Sequence, residues 1–199
     1  MVRWLSTITM AVLLTGCVGF SKTRLSEPHV DGVPTRSERY VGDMHVLPSV
    51  DFHVEPMNAK SKTVMVFPIP LYEGESQLAN PTFLFFVSII SKRPGQVLAP
   101  QEFAYFTPAG ERMVPTTMVG PEECGSRQPR PAAVRAPFSP IPLVVGRCYT
   151  MLVTFEAAPP DPSERFRFSV GSLQSDQGAI ALPVVSFSES TRGGTVVLP

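Results

Sequence analysis

Proline sets the first limit on how this chain can fold. It supplies 22 of 199 residues, about twice the usual share of roughly 5%, and each one fixes φ and removes a backbone donor. A long helix needs an unbroken run of N–H donors, and few stretches offer one. Past residue 27, the longest proline-free stretches are Ser163 to Leu182, Leu143 to Ala158 and Val184 to Leu198, and all three alternate in the manner of strands. The chain is therefore read as all-β.

The alternation is clearest where Phe166, Phe168 and Val170 interleave with Arg165, Arg167 and Ser169, so that one face is dry and the other wet. From Cys148 to Glu156, Tyr149, Met151, Val153 and Phe155 share one side of a segment rich in β-formers. Val184 to Ser188 is a shorter version of the same pattern. Thr82 to Ile90 is apolar almost throughout, which predicts a central strand covered on both faces. Val50 to Glu55, Thr63 to Phe67, Glu102 to Phe106 and Arg112 to Thr117 complete the candidates, the last two joined across Thr107-Pro108-Ala109-Gly110-Glu111, a turn of hairpin length. Eight or nine short strands with prolines at their ends describe an antiparallel β-sandwich.

The amino terminus reads as an address. Residues 1–16 hold a basic start at Arg3 and an apolar stretch from Trp4 to Leu14, too short for the roughly 20 residues that span a bilayer. An export signal fits. Leu14-Thr15-Gly16-Cys17 resembles the lipobox of bacterial lipoproteins, four positions with a large apolar residue first, small residues next and cysteine last. That resemblance implies diacylglyceryl transfer to the Cys17 thiol, cleavage between Gly16 and Cys17, and acylation of the new amine. Two or three acyl chains make a lasting membrane anchor. An aspartate after the cysteine would imply inner-membrane retention; Val18 stands there instead, which points to a periplasm-facing place on the outer membrane.

Two cysteines remain, Cys124 and Cys148, an even pair in what would be an oxidising compartment. They are expected to form a structural disulfide, since the CxxC spacing of a redox-active pair is absent. The bridge would brace a proline- and arginine-rich insertion. Residues 17–46 are polar and loosely patterned, and are read as the lipidated cysteine followed by a flexible tether, with an end-to-end distance of roughly 30 Å. Residues 47–199 form the sandwich, enough chain for one ordinary core.

The order of these features, namely the Phe67-Pro68-Ile69-Pro70 step, the apolar strand from Phe83 to Ile90, the turn at Pro108-Ala109-Gly110, the Cys148-Tyr149 strand and the late Leu182-Pro183-Val184-Val185-Ser186-Phe187 strand, resembles a class of single-domain bacterial lipoproteins with an immunoglobulin-like sandwich. The lipoprotein of type VI secretion is similar in general plan. Neither resemblance implies an active site.

A search for chemistry returns little. There is no G-x-S-x-G elbow, H-E-x-x-H helix, Walker loop or S-x-x-K pair. Seventeen basic side chains balance seventeen acidic ones, which excludes the basic balance of a nucleic-acid binder. His29, His45 and His53, with Met44 and Met57, are a donor set that suits copper, but on a strand His53 would share a wet face with Asp51 and Glu55. Glu122-Glu123 reads as solvated, and Arg127, Arg130, Arg135 and Arg147 give the disulfide insertion a positive character that could attract polyanions. The reading is a non-enzymatic module without metal or cofactor, held to lipid through acylated Cys17 and docking an envelope protein. The alternative is a carrier of a small ligand or copper.

Overall fold

The computed structural model describes residues 17–66, 72–77, 82–127 and 131–198. Their strands form three antiparallel sheets, two of them the layers of a β-sandwich. The first layer runs β10 (Arg112–Met113), β9 (Ala104–Phe106), β15 (Phe166–Ser169), β18 (Val185–Leu198), β1 (Cys17–His29), β5 (Lys60–Val66) and β6 (Tyr72–Gln77). The second runs β12 (Val134–Arg135), β11 (Thr117–Glu123), β14 (Cys148–Phe155), β7 (Phe83–Ser91), β4 (Val50–Pro56), β3 (Gly42–Val46) and β2 (Thr35–Glu38). A four-stranded sheet of β13 (Ile141–Pro142), β8 (Val97–Leu98), β16 (Ser172–Ser175) and β17 (Gly178–Ala181) completes the fold. No helix among the described residues is long and apolar enough to cross a membrane.

The core lies where alternation placed it. Phe83, Phe85, Val87 and Ile89 of β7, Met151, Val153 and Phe155 of β14, and Phe166 and Phe168 of β15 are buried between the layers. Phe85 is the hub, with six aromatic rings around it at centroid distances of 4.3 to 6.2 Å. Strand β7 is central in its sheet, between β14 and β4. Its second face is less completely buried, Leu84, Phe86 and Ile90 being only partly covered.

Several expected boundaries move. The hairpin between β9 and β10 forms, pairing Phe106 with Arg112 and Tyr105 with Met113, but Pro115 follows the short β10 and the chain then crosses to the other layer as β11. The strand expected from Val184 to Ser188 extends to Leu198. The Phe67 to Pro70 step and Arg130 lie outside the described residues.

The largest correction concerns residues 17–46. In place of a flexible tether, this segment makes β1, β2 and β3. β1 pairs with β18 from Cys17↔Leu198 to His29↔Ser186, and its first half pairs with β5 on the other side. Few apolar residues advertise this strand, because its ladder and its charges hold it. Arg24 donates from Nε to Glu189 at 2.6 Å and from Nη2 to Asp161 at 3.1 Å, and Lys60 of β5 reaches the second Asp161 oxygen at 2.6 Å. The Lys60 ammonium, with the Ser163 hydroxyl and N–H, holds the Asp161 carboxyl far below the usual carboxylate range. Cys17 to His29 thus belongs to the folded body.

The disulfide insertion is likewise better ordered than expected. Within it Val134 and Arg135 pair with β11, Ile141 and Pro142 pair with β8, and Phe138, Ile141 and Leu143 enter the core.

Candidate functional site

Cys17, the residue expected to carry lipid, opens β1 at the end of the first layer. Its neighbour Val18 is in register with Val197 of β18 and Val66 of β5. Residues 1–16 lie outside the described residues.

Cys124 and Cys148 are bonded, with Cα atoms 5.4 Å apart. They close the β11/β14 ladder: Glu123 stands opposite Tyr149, and the Cys124 N–H donates to the Cys148 carbonyl at 3.1 Å. Beside the bridge, the ring of Tyr40 rests on Gly125. A Cβ there would meet the ring at 2.9 Å, and φ at Gly125 is +74°, so both space and backbone call for glycine. Tyr40 is 64% exposed, Val144 53% and Val145 48%. These three line an open recess of about 460 Å³ with Glu38, Glu123 and Arg147. The result is a recess of mixed apolar and charged lining beside a covalent crosslink. No pattern in the sequence joins residue 40 to residues 144 and 145; only the bridge beside them was legible.

The three histidines part company. His29 is exposed and its Nε2 lies 2.8 Å from Asp31 Oδ1. His53 sits on β4 beside Asp51 and Glu55 as expected, but it is buried rather than solvated. The reason is local: β3 pairs with β4 only at Val46↔Asp51 and His45↔Phe52, and where the strands part the His53 Nδ1–H donates to the Asp43 carbonyl at 2.8 Å. Its Nε2 lies 3.9 Å from Glu55, and the neighbouring His53 ring holds the Glu55 carboxyl below its ordinary range.

His45 is 2% exposed, its ring 5.3 Å from that of Phe52, and neither ring nitrogen has a hydrogen-bond partner. Burial, with the neighbouring His53 and His29, lowers its pKa and favours the neutral ring. His45 and His53 line one cavity of about 420 Å³ with Glu27, Glu55 and Arg192. Met44 is buried, and among the described residues no three His, Cys, Asp or Glu side chains converge to hold a metal ion.

Asp51, expected on the wet face beside His53 and Glu55, is buried instead. It is 1% exposed and meets Arg36 Nη2 at 2.8 Å and the Lys92 ammonium on its other oxygen, an ion triad tying β2, β4 and the end of β7 together. Glu122 and Glu123 occupy successive positions of β11 and so face opposite ways. Arg127, Arg135 and Arg147 are all exposed.

No family model matches this chain, and neither the curated proteins nor the solved structures contain a significant match.

Proposed function

We propose that this protein is an exported lipoprotein, acylated at Cys17, whose immunoglobulin-like sandwich acts as a non-enzymatic docking module on the periplasmic side of the outer membrane. The Leu14-Thr15-Gly16-Cys17 tetrad supports the anchor, and a bonded Cys124–Cys148 pair suits an oxidising compartment. The observation that carries the docking role is the recess beside that bridge, where the exposed side chains of Tyr40, Val144 and Val145 share a lining with Glu38, Glu123 and Arg147, a mixed apolar and charged composition that suits a protein-binding patch. The partner is another envelope protein.

The test is crosslinking in intact envelopes followed by affinity capture of the full-length protein. The wild type returns a reproducible protein partner, and Tyr40→Ser with Val144→Ser loses it without losing the fold. Capture of bulk lipid alone, or the same partner with both proteins, contradicts the proposal.

The cavity lined by His45 favours a second reading, a small-ligand carrier, because the neutral ring has one unpartnered nitrogen to accept a ligand's donor or a copper ion and one to donate. Calorimetric titration of the mature protein with copper separates the two: saturable heat that His45→Phe removes supports the carrier.

A further inference from the structure

A lipid attached to Cys17 has almost no chain between it and the folded body. β1 is hydrogen-bonded on both sides from its first residues, Val18 to β18 at Val197 and to β5 at Val66. The membrane would therefore meet the end of the first layer directly. The composition of that end is telling. Residues 17–20 read Cys-Val-Gly-Phe, residues 64–66 Val-Met-Val and residues 195–198 Thr-Val-Val-Leu, eleven positions on three adjacent strands without a charge. Phe20 is 57% exposed, the only phenylalanine among the exposed large apolar side chains of the described residues.

Behind this uncharged end, Lys22 stands directly opposite Lys62. Lysines just above an apolar segment suit anionic headgroups and can bury their stems while the ammonium stays wet. Glu73 and Glu75 of β6, opposite Val64 and Lys62, offset part of this charge, so apolar burial must supply most of the attraction. The distance from Cys17 to Phe20 is about 10 Å at roughly 3.4 Å per residue, the depth of an interfacial element rather than of a span. An open edge such as β6 could go no deeper, because its unpaired backbone groups need water.

We propose that this end of the first layer, residues 17–20, 64–66 and 195–198, seats the sandwich on the lipid surface that holds Cys17, so that the body stands on the membrane instead of hanging from it. The proposal rests on the anchor reading of Cys17 and adds a second, non-covalent attachment to it.

Its test uses the full chain, expressed and matured in bacteria, with the single tryptophan, Trp4, replaced by phenylalanine. Into that background go Phe20→Trp, Lys22→Trp or Val184→Trp, each protein being reconstituted into phosphatidylethanolamine vesicles with a minority of phosphatidylglycerol. Val184 precedes β18 and lies beyond the opposite end of that 14-residue strand, 42% exposed. With brominated lipid, emission at position 20 should be blue-shifted and quenched at least twofold, position 22 less, and position 184 unchanged. Equal quenching at 20 and 184 overturns the seating.

Intact mass on the same samples reads acylation separately. Acylated protein with an unquenched position 20 leaves the anchor standing and removes the seating. Unacylated protein with a quenched position 20 does the reverse, and unacylated, unquenched protein removes both.

Discussion

Replacing both Cys124 and Cys148 by serine should lower global stability by about 3 kcal/mol. The bridge joins residues 24 apart in sequence, and closing a loop of that size restricts the unfolded chain by about 3.5 kcal/mol in the chain-entropy model. In the folded state little else should change. The Cys124 N–H to Cys148 carbonyl bond and the pairing of Glu123 with Tyr149 keep the ladder closed, while Phe138, Ile141 and Leu143 hold the insertion in the core. The loss should therefore come chiefly from a looser denatured state. Urea titration of the oxidised wild type and the double variant, followed by circular dichroism, measures it, and the larger exposed surface of the unlinked chain should steepen the denaturant dependence. A loss under about 1 kcal/mol would refute the entropic reasoning. So would an equal loss accompanied by new cleavage confined to residues 125–147 in the native state, because the insertion would then depend on the bridge and not on its core residues.

Phe85→Ala removes the hub of the aromatic cluster from a fully buried position and should cost about 3–5 kcal/mol by equilibrium unfolding, with a result near 1 kcal/mol meaning that the core collapses around the gap. Asp51→Ala strands Arg36 and Lys92, but both can regain water, so the cost should fall at the low end for a broken buried pair, about 3 kcal/mol; an unchanged urea midpoint would show that the triad contributes nothing. His45 takes up its proton less readily when folded than when unfolded, so its contribution is complete above the ordinary value of 6.5 and is lost as pH falls through the lowered folded value. Stability of the wild type should decline with acidification from 6.5 toward the carboxylate range, and His45→Phe should flatten that decline; parallel profiles for the two proteins would contradict it.

The strands legible in the sequence are those whose side chains sort by polarity. β14 and β15 put Met151, Val153 and Phe155, and Phe166 and Phe168, at every second position, and burial follows the same period, while β7 was legible as a nearly continuous apolar run. β1, β2 and β3 carry no such signal in the sequence, because what fixes them is not periodic. Arg24 finds Asp161 and Glu189 more than a hundred residues away, and Arg36 finds Asp51 in another strand. An ion pair across such a separation leaves no local pattern. The disulfide was legible from cysteine parity alone, whereas the ordering of its insertion was hidden by prolines flanking Phe138 and Ile141. His53 was placed on the right strand and face, but its burial depends on β3 parting from β4, which alternation does not encode.

The most direct measurement is the intact mass of the protein taken from native envelopes. The expected chain begins at Cys17, heavier than its residues by a diacylglyceryl group and an amide-linked acyl chain, and lighter by two hydrogen atoms for the Cys124–Cys148 bond. A chain still beginning at Met1, or one beginning near residue 17 with no added lipid, would contradict that expectation.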